Sequence, residues 1–482
     1  MATELRPTAP LAPPHPTTPA SHPLAWAAGI GAVGTAVAIG APILVAVALF
    51  GVFIAAVFYL SPGDPTTVLT LGVAAMFVIP QRFVFEPLGA AGTPALLIGV
   101  AALVWWLVTR LGTNPQAAGY NPIRIATAIL MGTVLLAYVS GWAKPMPFIE
   151  GSNADRTLIM WLGYCGYLLL SCDGITSRAR LDALMRRVVD GAAFMATVAL
   201  LQFFAKFDLS ASIQPPGLSY NDPLFDGSYA RSTFTRVMGT AMHPIEFSVI
   251  VASLLPVAIH YAFADTHRNL VRRWAPVALM GFAMPLAISR SGFLALFLAA
   301  ACFIPALPPG RKTQVVALGA AGGALMTVAV PGLLGTIRSF FTGAATDPSV
   351  TARTDDYQYL DTFFNQWPFT GLGFGRFTPS VYDVLDNQYL LTIIDSGVIG
   401  LIGLLLFLVS GLVTAQVIRK RPTADASARS LAQACFGGIL AHVATFATYD
   451  ALVFPTTGMV LFLLIGVVGA LWRLTRPRPL GT

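Results

Sequence analysis

Residues 389–417 read YLLTIIDSGVIGLIGLLLFLVSGLVTAQV, and Arg419-Lys420-Arg421 follow almost at once. In these 29 residues the only charged side chain is Asp395. A bilayer is crossed by about 20 apolar residues in a helix, so this stretch reads as a membrane span. Working outward, similar runs lie near 25–41, 43–60, 67–82, 94–110, 123–142, 156–172, 188–205, 243–263, 274–289, 291–307, 314–334, 430–448 and 452–473. The first two are joined through Gly40-Ala41-Pro42 and form either a hairpin or one long tilted helix. The expectation is an all-α polytopic membrane protein with about 12–14 transmembrane helices.

Composition agrees. The chain is 56% hydrophobic and 11% charged, with mean hydropathy +0.71, which belongs to the membrane class. The net charge of +7 sits in short loops and reads as a topology signal rather than as a nucleic-acid footprint. Cys165, Cys172, Cys302 and Cys435 lie in or beside apolar runs without CxxC spacing, and read as small apolar side chains. Residues 1–23 are rich in Pro, Thr and Ala and read as a disordered cytoplasmic tail without a cleavable signal. Residues 24–473 form one helical domain, and 474–482 a second cytoplasmic tail.

Charge orients the spans. Arg178, Arg180, Arg186 and Arg187 share one loop, Arg268, Arg272 and Arg273 another, and Arg311 and Lys312 a third; Arg419–Arg421 and the tail arginines Arg473, Arg476 and Arg478 complete the set. The positive-inside rule places all five clusters in the cytoplasm, with both termini. Loops 206–242, 336–388 and 449–452 and the turn Ser289-Arg290-Ser291 are then external. The 336–388 loop lies between the eleventh and twelfth spans. Arg231, Arg236, Arg290, Arg353 and Arg376 fall on that side against the rule, so each needs a partner. Either an anionic ligand or carboxylates of the same region (Asp355, Asp356, Asp361, Asp383, Asp386) would serve.

Three patterns occur in order: Arg236-Val-Met-Gly-Thr-Ala-Met-His243-Pro244 before a helix carrying Glu246; Ser289-Arg290-Ser291-Gly292; and Arg353, Gly371-Leu-Gly373-Phe-Gly375, Asp386-Asn387-Gln-Tyr389-Leu and Asp395-Ser-Gly397. In this order they resemble the O-antigen ligase and polysaccharide polymerase superfamily of bacterial envelope glycosyltransferases, over roughly residues 190–415. The resemblance implies a GT-C-like multi-helix body in the cytoplasmic membrane with an external cavity formed by loops 206–242 and 336–388. It implies a glycan donor on an undecaprenyl diphosphate-type lipid and a glycan or lipid acceptor hydroxyl, with no cofactor or metal. Partners would be membrane lipids and other envelope-assembly proteins, not nucleic acid. One departure is Asp386, where ligases of this family place histidine before the asparagine; polymerase-like members vary there.

The chemistry of such a transfer distributes roles. Arginines stabilise the leaving diphosphate through permanent, forked charge, and Arg290, Arg353, Arg236 and Arg231 are the candidates. Arg353 opens an amphipathic segment, 354–364, suited to the bilayer surface. For proton removal Asp386 is the first choice and His243, which titrates near neutrality unaided, the second. Glu246, inside a span, either pairs with an arginine or takes part in catalysis. Arg376, Asn387 and Tyr389 are possible accessories. The GLGFGR stretch lacks the strand and helix of a dinucleotide fold and reads as a turn beneath the cavity. Trp367, Phe369, Phe374 and Phe377 either anchor the interface or stack on sugar. The rival reading is a transporter or lipid-linked glycan flippase, whose usual internal repeat and mid-depth charges are not evident; a scaffold role would leave the external arginines unexplained.

Overall fold

The computed structural model describes residues 64–111, 119–213, 215–221, 230–231, 234–342, 357–382 and 384–476. The N-terminal tail, the two weakest spans and Arg353 lie outside these. The principal helices are α1 (Pro65–Val78), α2 (Pro94–Leu111), α3 (Pro122–Trp142), α4 (Phe148–Gly174), α5 (Arg178–Leu200), α6 (Pro244–Ala264), α7 (Leu270–Ala283), α8 (Arg290–Phe303), α9 (Pro309–Ala329), α10 (Leu333–Thr342), α11 (Tyr357–Phe364), α12 (Gln388–Lys420), α13 (Ala426–Thr445) and α14 (Pro455–Leu474). Every apolar run read between 67 and 473 falls on a helix. Among the described residues five helices (α3, α6, α12, α14 and α5 with the π-turn after it) are long and apolar enough to cross a membrane, or six with the bent Glu86–Gly92 and Pro94–Arg110 pair. The larger number of spans expected includes helices such as α1 and α8, which are apolar but only 14 residues long, and α4, whose first turns carry Glu150, Asp155 and Arg156.

Sequence chemistry sets the helix starts. Proline occupies the first turn of α1, α3, α6 and α14, where its missing N–H costs nothing. Asp64, Asn121, Ser177, Asn269, Ser289, Asn387 and Asp425 cap helices through side-chain oxygens. Among the described residues the strands are two minimal antiparallel pairs: β1 (Phe83–Val84) with β2 (Ser219–Tyr220), and β3 (Ala230–Arg231) with β4 (Phe234–Thr235).

Burial orders the bundle. In α6 and α14, 83% of the apolar window is buried, against 33% in α3 and 44% in α12. The first pair is central. The second pair packs together at the periphery and turns Ile129, Leu136, Val139, Leu406, Val409 and Val413 outward, as a lipid-facing surface requires. Helix α4 joins α2 to α14, and α13 bridges α6, α8 and α12.

The two ends of the bundle differ in charge. At one end Arg186 binds Asp265, Arg110 and Arg124 bind Asp173, and Arg178 reaches Ser427 at the start of α13. Arg421 and Arg473 hold backbone carbonyls there. The opposite end gathers the N-termini of α4, α6, α8, α12 and α14. Here Gln388 N–H donates to Phe446 O at 2.7 Å, and its Oε1 accepts from Leu452 N–H at 2.7 Å. That contact fastens α12 to the short turn Ala451–Val453 before α14.

Helix α12 is broken at Gly397 (φ 64°, ψ −168°). The break exposes main-chain groups that must find partners. Leu372 and Gly373 N–H donate to the carbonyls of Ile394 and Asp395 at 2.8 and 2.9 Å, and Val398 and Ile399 N–H donate to Pro368 and Phe369 O at 2.9 and 3.2 Å. The 367–377 turn therefore completes the broken helix. A Cβ on Gly397 would stand 2.3 Å from the Phe369 backbone, on a φ that side chains resist, whereas one on Gly132 in α3 meets nothing within 4 Å. Gly397→Ala is expected to lower stability by about 2–3 kcal/mol and Gly132→Ala to leave it unchanged or raise it, in thermal unfolding of the detergent-solubilised protein.

Candidate functional site

At the end opposite the basic loops, two groups of polar side chains can be built up from their supports. The first lies where α6 begins. His243 is its N-cap, extended in backbone, with Nδ1 accepting from Ile245 N–H at 3.2 Å. That acceptance leaves the ring proton on Nε2. Burial above all, and then the charges of Arg236 and Arg82, push the imidazole down to about 3, so it is neutral at physiological pH. Phe454 lies against the ring, with centroids 5.8 Å apart. Arg236 Nε donates to Ala287 O at 2.9 Å, and Val237 N–H to Leu286 O. These bonds lay the 236–243 segment on the turn that delivers Arg290. In that turn Ile288 adopts φ 48°, a left-handed conformation that costs a β-branched residue about 1–3 kcal/mol. Ser289 then caps α8 through Gly292 N–H at 3.2 Å, and Arg290 is its first residue.

Arg82 belongs to the same group, and its role was not legible from the sequence. It is 4% exposed, donates from Nη1 to Tyr220 OH at 2.5 Å and from Nη2 to Met242 O at 3.3 Å, and precedes β1. Its only sequence signal is an arginine in a short connection on the side opposite the basic clusters. Its partners are 138 and 160 residues away.

Glu246 is fully buried, but its partners are main-chain amides. Oε2 accepts from Met242 N–H at 2.8 Å, and Oε1 from Thr456 and Thr457 N–H at 2.9 and 3.4 Å. Of the two roles expected for it, an arginine partner or a part in catalysis, neither is what these bonds describe: they tie the starts of α6 and α14, where backbone donors favour a carboxylate.

The second group is centred on the 336–388 loop. Leu372, Phe377, Leu385, Leu390 and Ile394 form a small core covered by Leu360 and Phe363 of α11, Trp367 and Tyr382. Arg376 is 4% and Glu150 3% exposed, and they pair through Nε and Nη2 to Oε2 at 2.9 and 2.7 Å. Arg376 also donates to Gly141, Leu372 and Pro145 carbonyls, and Tyr382 OH donates to Glu150 Oε1 at 2.7 Å. Burial and this carboxylate hold the Tyr382 phenol well above its ordinary range. Arg376 therefore finds an anion in Glu150, 226 residues away; its guanidinium is a clamp between its own loop and the α3–α4 connection.

The glycine turn is likewise occupied. Asp395 accepts from Gly375 N–H at 3.0 Å and Phe377 N–H at 2.9 Å, so these amides are turned onto a carboxylate within the protein. Lys144 Nζ holds the Gly371 and Leu372 carbonyls and stands 4.8 Å from the Trp367 ring centre. Burial, and then Arg376, lower its pKa. Of the four aromatic candidates, Phe374 and Phe377 are buried and Phe369 is 68% exposed.

Asp386 and Asn387 sit where this group meets the first. Asn387 caps α12 through Tyr389 and Leu390 N–H at 3.0 and 3.1 Å, and Tyr389 OH donates to Val443 O at 2.6 Å. Both expected accessories thus have structural partners. Asp386 is half-buried. The path from it to His243 runs through Gln388, the Ala451–Val453 turn and Phe454. Arg231 lies in β3, and only its backbone is described. No three His, Cys, Asp or Glu side chains among the described residues converge in a metal-binding arrangement; the described cations at this end are guanidinium groups and the Lys144 ammonium.

A multi-pass helical membrane protein with arginines, a capping histidine and a folded loop gathered at one end is what these observations define. Residues 275–405 match the family model described as O-antigen ligase. The match spans α8, the Arg290 turn, the 336–388 loop and the first half of α12, so this segment of the chain is similar to that family. No curated protein matches the chain.

Arg376→Ala strands a buried carboxylate and is expected to cost about 3–5 kcal/mol, whereas Arg376→Met with Glu150→Leu costs less than Arg376→Ala alone; chemical denaturation in detergent compares them.

Proposed function

We propose that the chain transfers or polymerises lipid-linked glycans. The donor is a glycan on an undecaprenyl diphosphate-type lipid, and the acceptor a hydroxyl of another glycan or lipid at the external face of the bacterial inner membrane. The observation that carries this reading is the O-antigen ligase match across residues 275–405, a segment that contains Arg290, Arg353 and Asp386. The grouping of Arg82 and Arg236 around His243 supports it.

The bond from the anomeric carbon to the diphosphate oxygen breaks, and the acceptor oxygen takes its place on that carbon. The acceptor proton passes to a base, and the polyprenyl diphosphate leaves with its charge increased. Fixed cations aimed at that charge lower the barrier more than any other single effect in reactions of this kind. In this reading Arg290 and Arg353 bind the diphosphate, and Arg236 and Arg231 assist. Arg82 is added to them by its place beside His243.

The base is Asp386. His243 is the alternative, but its Nδ1 is committed to Ile245 N–H, and the ring is depressed to about 3. Its ring proton is then on Nε2. A group with this low pKa does not change charge between pH 5 and 8, so any rate limb in that range belongs elsewhere.

Arg290→Ala is expected to lower kcat/KM about 10²–10³-fold and Asp386→Asn about 10²–10⁴-fold, with folding retained. His243→Asn, which keeps a capping oxygen, leaves the midpoint of the pH–rate profile unchanged. Fully active Arg290→Ala and Asp386→Asn proteins would remove the site assignment. The function itself is tested by the lipid-linked glycan pool of cells lacking the protein. Accumulation on the external leaflet, cleared by the wild type and not by Arg353→Ala, is expected. Trapping on the cytoplasmic leaflet would make the protein a flippase.

A further inference from the structure

The end of the bundle that carries the basic loops contains a recess between α5, α6 and α7. Its polar lining is Arg186, Asp190, Asp265, Arg268, Arg272 and Arg273. Four guanidinium groups face two carboxylates, which leaves two positive charges in excess. The pairing is uneven. Arg186 takes both oxygens of Asp265, at 2.6 and 2.7 Å, and Arg268 approaches the same carboxylate at 3.6 Å. Arg273 donates Nε to Ala262 O at 2.7 Å. Neither Arg272 nor Arg273 forms an ion pair with a described carboxylate.

Topology alone needs arginines near the membrane surface, but it does not need them to line one recess. The neighbouring residues add a second observation. Leu270 and Val271, directly before Arg272, are 68% and 74% exposed, and Trp274 packs edge-on against Phe263 beneath them. Exposed aliphatic side chains beside a cationic recess, at the level where a helix leaves the bilayer, match the two parts of a phospholipid.

We propose that this recess binds the phosphate headgroup of an anionic phospholipid, with Arg268 and Arg272 as the principal cations and Leu270 and Val271 against the acyl chains. The site is separate from the glycan-transfer end and does not depend on that reading. Its lipid is a resident ligand rather than the donor, and no covalent step occurs there.

The test uses the full chain in detergent, with phosphatidylglycerol and phosphatidylcholine titrated separately and bound lipid counted by native mass spectrometry. The wild type is expected to prefer phosphatidylglycerol. Arg268→Gln with Arg272→Gln is expected to reduce that preference about twenty-fivefold, at roughly fivefold per arginine. Arg419→Gln with Lys420→Gln, at the same end but outside the recess, is expected to leave it unchanged. Equal binding of the two lipids, or equal loss in both double variants, would overturn the proposal. Displacement of phosphatidylglycerol by millimolar inorganic phosphate, with Leu270→Ser and Val271→Ser having no effect on lipid binding, would overturn the lipid assignment in favour of a free-phosphate site.

Discussion

The Glu246 carboxylate, with no exposed surface, is the contact on which the central pair of helices depends. A buried carboxylate without partners would cost many kcal/mol. Here three backbone amides from the starts of two helices surround it. The group that would destabilise the bundle alone instead fixes the register of α14 against α6. His243 precedes α6 and Phe454 precedes α14, so one carboxylate also sets the distance between the histidine ring and the turn leading to Gln388 and Asp386.

The same logic recurs at Arg376 and Asp395. Each is ionisable, buried and surrounded by main-chain groups or an opposite charge. Together they hold the glycine turn against the broken α12, and Asp395 takes up the Gly375 and Phe377 amides in doing so. Of the arginines that violate the positive-inside pattern, Arg376 is thereby explained by the protein itself. Arg236 and Arg290 are held near a strained turn at Ile288, where backbone energy is spent on placing a side chain.

The helices were legible because each is an apolar run of nearly fixed length, bounded by proline, a capping side chain or a basic cluster. The motifs located the end where α6, α8 and α12 begin, and the glycine stretch was legible as a turn. Partners across the sequence were not. Nothing local in Glu150 or Arg376 indicates that they meet across 226 residues of chain. Arg82 was invisible for the same reason: an isolated arginine acquires meaning only when Tyr220 and Met242 are brought to it. Glu246 misled in a different way. A carboxylate inside a span suggests a cation, and only the arrival of a second helix start shows that backbone dipoles suffice.

The break at Gly397 has a mechanical consequence. Residues 388–396 are fastened to the 446–452 segment and to the 372–377 turn, while 398–420 carries the lipid-facing aliphatic surface of α12. A bilayer that thickens or thins acts on the lower portion, which can tilt to match it at a small cost per ångström. An unbroken helix would transmit that tilt as a lever to Asn387 and Asp386. The glycine interrupts that lever, and the 367–377 turn, bonded on both sides of the break, is the joint through which the two segments stay connected.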